Sequence, residues 1–141
     1  MKSVCKIKPR YQETDKMGII HHSVYAVWYE LGRVQFCDDI GLPFHEIEAR
    51  GIYQALIELK VQFKKPTKFG ETLTLYTYIK SMTKVKLVFG YELFNENQEL
   101  VNTGETLLAW LNQDLKPLNL EKHQPDIYAL LKKYSSHLTD N

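Results

Sequence analysis

Residues 23–40 read SVYAVWYELGRVQFCDDI, and the fold turns on this stretch. Val24, Val27, Trp28, Leu31, Val34 and Cys37 recur at helical spacing. Tyr25, Tyr29 and Phe36 widen the apolar stripe well past one face, and a helix apolar on most sides is a buried helix. Gly41 and Pro43 supply its stop signal. Gly32 costs about 1 kcal/mol in a helix interior, which makes sense if another backbone packs close there. A second short helix is expected at 43–49.

A buried helix needs a layer to lie against, and the rest of the chain reads as strands. Tyr53, Ala55, Ile57, Leu59, Val61 and Phe63 alternate with Gln54, Glu58, Lys60 and Gln62, a period of two that puts the apolar set on one face. KKPTKFGE then makes a turn. Residues 71–81, 84–94 and 100–112 repeat the alternation, with NENQ as a hairpin loop. Residues 4–11 are expected to form a short first strand with Cys5, Ile7 and Tyr11 on one face, and Pro9 demotes it to an edge or a strand end. Residues 125–134 form a terminal helix with Pro125 in its first turn. Short turns make neighbouring strands antiparallel. The expected fold is therefore α+β, an antiparallel sheet of about five strands curled around one long central helix. One domain covers 1–134, and 135–141 form a polar tail. Long strands leave edges to manage, so self-association is expected.

The 141 residues carry 18 Lys and Arg against 17 Asp and Glu, a net charge of +1, which is no footprint for nucleic acid. No apolar run approaches the roughly 18 residues that span a bilayer. The opening MKSVCKIKPRYQ lacks an apolar stretch of signal-peptide length, and the two cysteines, Cys5 and Cys37, make no disulfide framework. The expected location is the cytoplasm. Cys37 sits near a helix C-terminus beside Asp38 and Asp39, which raise a thiol pKa where a nucleophile needs it lowered. No G-x-S-x-G elbow, G-x-G-x-x-G or P-loop is present.

Just before the long helix, residues 13–25 read ETDKMGIIHHSVY. Asp15 is either a turn residue accepting backbone N–H groups or a reactive carboxylate. His21 and His22 stand at the helix start, where unpaired N–H groups and the macrodipole favour a developing negative charge. Adjacent histidines seldom converge on one metal, and no spaced His, Cys or Glu cluster completes a site, so neither a metal nor another cofactor is expected.

The longer stretch 10–33, RYQETDKMGIIHHSVYAVWYELGR, resembles the signature of hotdog-fold acyl-CoA thioesterases of the 4-hydroxybenzoyl-CoA thioesterase type. The pattern is an Asp, a linker with Gly, two apolar residues, a His or aromatic pair, and a helix carrying Tyr, an acidic residue and Arg. Here these are Asp15, Gly18, Ile19, Ile20, His21, His22, Tyr25, Tyr29, Glu30 and Arg33. FKKPTKFGE at 63–71 is similar to a turn common in that family, and the resemblance runs from about residue 4 to 120.

The resemblance implies hydrolysis of an acyl-CoA, or of an acyl-carrier protein, with Asp15 as nucleophile or general base. The oxyanion donor is implied to be the backbone N–H of His22, seven residues after Asp15, with a further part for its imidazole. Gly18, Ile19, His21, Tyr25 and Tyr29 are implied to line the substrate site, although many relatives carry Tyr at the position of His21. Thr83 and Lys84 fall where relatives place basic and hydroxyl groups near CoA, and Lys64, Lys65 and Lys68 are further candidates for its phosphates. Glu30 and Arg33 are expected to tether the helix to strands or to a second subunit. The family builds its active site between two subunits, which implies a homodimer or homotetramer. Two other readings share the fold: a non-catalytic acyl-binding or scaffolding module, and a hotdog dehydratase.

Overall fold

The computed structural model describes residues 1–135, so all of the expected tail after Ser135 lies outside the described residues. Five strands, β1 (Ser3–Ile7), β2 (Tyr53–Phe63), β3 (Leu73–Met82), β4 (Lys86–Phe94) and β5 (Leu100–Leu111), form one antiparallel sheet in the order β1-β3-β4-β5-β2. The sheet is open, with β1 and β2 as its two edges. The long helix α1 (Val24–Asp39) lies across one face. It starts near β2, where the Tyr25 ring meets Phe63 edge-on, and ends at β1, where Ser3 Oγ donates to Asp39 Oδ2 at 2.5 Å. Short helices α2 (Phe44–Ala49), α3 (Leu120–His123) and α4 (Pro125–Tyr134) complete the chain; α3 has no counterpart in the sequence reading. Among the described residues no helix is long and apolar enough to cross a membrane.

The core lies between α1 and the sheet. Phe36 meets Phe89 edge-on, and Tyr29 stacks flat on Tyr91. Leu73, Leu75, Ile79, Leu87 and Leu93 are fully buried beneath them. Gly32 allows the close approach: a Cβ there would run into the Thr77 side chain and lie 2.8 Å from Leu75 Cδ2. The close neighbours are thus side chains of β3 rather than another backbone. Arg33 tethers α1 to β4 through Tyr91, whose hydroxyl lies 3.3 Å from Arg33 Nη1 and 2.6 Å from Thr106 Oγ1.

Three expectations need correction. Tyr11 is not on the first strand: β1 ends at Ile7, and Tyr11 opens a one-turn 3-10 helix with its side chain exposed. The long helix is not buried on most sides, since Val27 and Leu31 are about half exposed. A single sheet layer covers one helix face, and the aromatic face of Tyr25, Trp28, Tyr29 and Phe36 takes it. The apolar set of 53–63 does not share one face either. Gln54 and Leu56 pair with Trp110 and Leu108, which are buried, whereas Tyr53 and Ala55 lie on the other side. Ile57 is a bulge residue without a cross-strand partner. Beyond it Leu59, opposite buried Thr106, leads the core-side set of Leu59, Val61 and Phe63. One inserted residue shifts the alternation by one and so switches the face.

Candidate active site

The segment before α1 is a tight closed loop. Its backbone pairs Asp15 N–H with Ile19 O (2.8 Å), Gly18 N–H with Asp15 O (3.1 Å) and His21 N–H with Glu13 O (2.9 Å). Gly18 turns the chain with φ +79°, a conformation that favours glycine. Ile20 N–H donates to Thr67 O at 2.9 Å, and Ile19 bridges Lys68, so the loop is stitched to the β2–β3 turn.

Asp15 fulfils its turn role with one oxygen. Oδ1 accepts Met17 N–H at 2.8 Å and Ile19 N–H at 3.3 Å, while no described residue donates to Oδ2. Holding one carboxylate oxygen by backbone N–H groups fixes the direction of the other. The turn reading and the reactive reading of Asp15 are therefore compatible in one geometry.

His21 closes the turn that leads into α1, which has no side-chain cap of its own. Ser23 N–H donates to His21 Nδ1 at 3.2 Å, the Ser23 hydroxyl lies 2.8 Å from the same nitrogen, and Val24 N–H donates to His21 O at 3.0 Å. Nδ1 accepts from the amide, so the ring carries its proton on Nε2 when neutral. The His22 ring lies beside His21, centroids 4.1 Å apart, and is exposed. The backbone N–H of His22 has no acceptor among the described residues.

Asp15 and His22 line one open groove of about 360 Å³ together with Met17, Ile19, Ile20, Tyr25, Phe63, Lys64, Lys65 and Pro66. Its lining is mostly apolar, with two lysines, Lys64 and Lys65. Lys65 pairs with Glu99, while Lys64 has no carboxylate partner among the described residues. Tyr25 is almost fully buried, and burial raises its phenol above the ordinary value, so the hydroxyl stays neutral. Among the described residues no three His, Cys, Asp or Glu side chains gather as ligands for a metal ion.

Of the residues read from sequence, the structure brings Asp15, Ile19, Ile20, His22, Tyr25, Lys64 and Lys65 to this groove. Gly18 and His21 shape the loop and the helix start behind it. Tyr29 lies outside the groove: it is fully buried and donates its hydroxyl to Asn102 Oδ1 at 2.6 Å. Thr83 and Lys84 sit at the other end of the sheet, in the β3–β4 turn, where Thr83 Oγ1 accepts Lys86 N–H and Lys84 meets Glu121 at 3.5 Å. The length of β2, roughly 30 Å for eleven residues, separates that end from Phe63. The sequence reading gave no role to Glu13, Thr67 or Pro66, which the fold brings to the loop from both sides.

Among the described residues one carboxylate oxygen has no donor and one backbone N–H no acceptor, beside mostly apolar side chains and two lysines. Such a set suits attack on a carbonyl whose oxygen gains charge. Comparisons with known proteins give the family, not the roles of these residues. The chain is 32% identical to Bacillus subtilis YneP, provisionally named an acyl-CoA thioesterase, over 91% of its own length and 94% of that protein. It is 29% identical to the chloroplastic acyl-acyl carrier protein thioesterase ATL2 of Arabidopsis thaliana, over 96% of this chain and 71% of that one. Among solved structures it superposes on the DHNA-CoA thioesterase of Staphylococcus aureus with a TM-score of 0.94 and 33% identity, covering 99% and 94% of the two chains. The model of the thioesterase superfamily matches residues 17–102, more than half of the chain. With the open antiparallel sheet laid on α1, these likenesses place the chain in the thioesterase superfamily, as a thioester hydrolase of hotdog fold.

Proposed function

We propose that the protein hydrolyses acyl-CoA thioesters in the Asp15 groove. The observation that carries this reading is the pairing of two unused groups in one groove: Asp15 Oδ2 and the His22 N–H. The thioester carbonyl sits with its oxygen at the His22 N–H and the start of α1, where the helix dipole and a preorganised donor favour the oxyanion. Asp15 either takes a proton from a water that attacks the carbonyl carbon, or attacks that carbon itself and is released by water in a second step. In both routes the C–S bond breaks, the thiolate leaves and is protonated, and the products are a carboxylic acid and CoA. A thiolate is a weak enough base to leave without a strong acid beside it. The two lysines suit a phosphorylated carrier arm, and this is equally true of an acyl-carrier protein, the partner named for ATL2.

The reading includes a second copy of the chain. β2 is an unpaired edge with Leu56, Ile57 and Phe63 each more than half exposed. Antiparallel pairing of two copies along β2 would set the Tyr53 end of one against the Phe63 end of the other. That brings Thr83 and Lys84 of the second copy toward the Asp15 groove, and gives these distant residues a place at the substrate.

The test is free-thiol release from a panel of aliphatic and aromatic acyl-CoAs and one acyl-carrier protein. Turnover of at least one class is expected. Tight binding without thiol release would favour an acyl-binding module, and loss of enone absorbance from an enoyl-CoA would favour a dehydratase.

A further inference from the structure

Glu13 stands between the two halves of the site, and the hydrolysis reading above gives it nothing to do. Its side chain is buried, 6% exposed. Oε1 accepts the backbone N–H of Arg10 at 2.6 Å. Oε2 accepts the indole N–H of Trp28 at 3.1 Å and lies 3.5 Å from Arg10 Nη2. Its own carbonyl accepts the His21 N–H at 2.9 Å, which closes the loop that carries Asp15.

These bonds join two different elements. Trp28 belongs to α1, one turn past its start, and is 2% exposed. Its ring meets Tyr25 edge-on, with centroids 5.2 Å apart. The main chain of Glu13 therefore holds the Asp15 loop, and its carboxylate holds the helix whose start offers the His22 N–H. A buried carboxylate is expensive unless hydrogen-bonded, and its ion-pair partner Arg10 is mostly exposed at 3.5 Å, so the pair itself adds little. Stability alone is thus a weak reason for a carboxylate here. What it offers beyond an amide is acceptance on both oxygens at once. A glutamine would turn its NH₂ toward either the Arg10 N–H or the Trp28 N–H, and one bond would be lost.

We propose that Glu13 is a positioning residue, whose carboxylate clamps the Asp15 loop to the start of α1 and so holds the attacking group and the oxyanion donor in one register. The proposal rests on the hydrolysis reading for its effect on rate, and on the loop geometry for the clamp itself. A misplacement of about 1 Å at a reacting pair can cost about 10²-fold in rate.

The experiment compares the full-length protein with Glu13→Gln, Trp28→Phe and the double variant. Trp28→Phe keeps an aromatic ring and removes the indole donor. Two quantities are read: kcat and KM for the best acyl-CoA of the panel, and hydrogen exchange of the peptide spanning residues 14–22. Expected are a kcat about 10- to 100-fold lower with KM little changed, a double variant no worse than the poorer single one, and faster exchange in 14–22 while β3 and β4 exchange as in the parent. Parent-like kcat and loop exchange in a folded Glu13→Gln would overturn the proposal. So would additive losses in the double variant, or a rate loss that tracks the unfolded fraction alone. If the parent protein releases no thiol from any thioester, the hydrolysis reading fails by itself, and loop exchange then decides for or against the clamp.

Discussion

The hydroxyls of Tyr25 and Thr67 lie 2.8 Å apart and join the first turn of α1 to the β2–β3 turn. Thr67 is fully buried, and its carbonyl also takes the Ile20 N–H. One residue thereby pins both the helix start and the loop that follows Asp15. Tyr25→Phe keeps the ring contacts with Trp28 and Phe63 but leaves the Thr67 hydroxyl buried without its partner. An unsatisfied buried hydroxyl costs about 1–3 kcal/mol. Urea unfolding should show a lower midpoint with an unchanged slope; a midpoint equal to that of the parent would mean the bond contributes nothing.

Alkaline stability follows from four buried acids. Burial, assisted by the Asp38 charge, pushes the Cys37 thiol up to about 12 from its ordinary 9.0. Burial is also the chief cause raising the phenols of Tyr25, Tyr29 and Tyr91 above 10.0. Below the unfolded values both states hold these protons and nothing is lost. Above about pH 9 the unfolded chain releases protons that the fold retains, so stability falls as pH rises. The urea midpoint should decline first above about pH 9, through Cys37, and more steeply above about pH 10 through the tyrosines. At pH 8 a thiol reagent should reach Cys37 at the rate of global unfolding, because the side chain is 1% exposed and protonated. Modification of Cys37 in the folded protein within seconds would contradict this burial.

How much of this was legible in the sequence differs by element. α1 was readable almost to the residue, because helical spacing and the Gly41–Pro43 stop act locally. β2 to β5 were readable for the same reason, since period two is a local signal, whereas the first strand stops at Ile7, short of the expected residue 11. The bulge at Ile57 was not: Leu56 and Ile57 are both apolar, so the face can switch without a break in the pattern. Asp15 and His22 were readable as a pair because one short loop carries both. Glu13 was not, since nothing in ETD separates a buried carboxylate from a solvated one. Its burial depends on an indole fifteen residues further on. The placement of Phe63 and Pro66 on the groove likewise depends on where β2 ends in space.

Ile57 also supplies the test of assembly. It is 54% exposed, has no cross-strand partner in β5, and lies near the middle of the free edge β2. A lysine on a sheet edge opposes pairing with another edge, and at an exposed bulge it should leave the fold intact. Sedimentation of the parent at micromolar concentration should give a species of at least twice 16.5 kDa. Ile57→Lys should shift it toward the monomer and lower turnover in parallel, because the groove would lose the Thr83–Lys84 turn of the second copy. A fully active parent monomer would refute the assembly.

Asp15→Asn is the most direct test of the mechanism. The amide oxygen can still accept the Met17 and Ile19 N–H groups that Oδ1 accepts now, so the loop should persist and the unfolding midpoint should move little. The other position becomes an NH₂ group, which can neither attack a carbonyl nor take a proton from water. General base catalysis alone contributes about 10²–10⁴-fold, so kcat should fall by about 10²-fold or more. Binding of a non-hydrolysable acyl-CoA analogue should survive, because the lost interaction belongs to the transition state. His22→Ala should cost less, since the backbone N–H at that position remains. A folded Asp15→Asn protein with near-normal kcat would leave Asp15 as a turn residue alone, and the attacking group would have to be sought elsewhere in the groove.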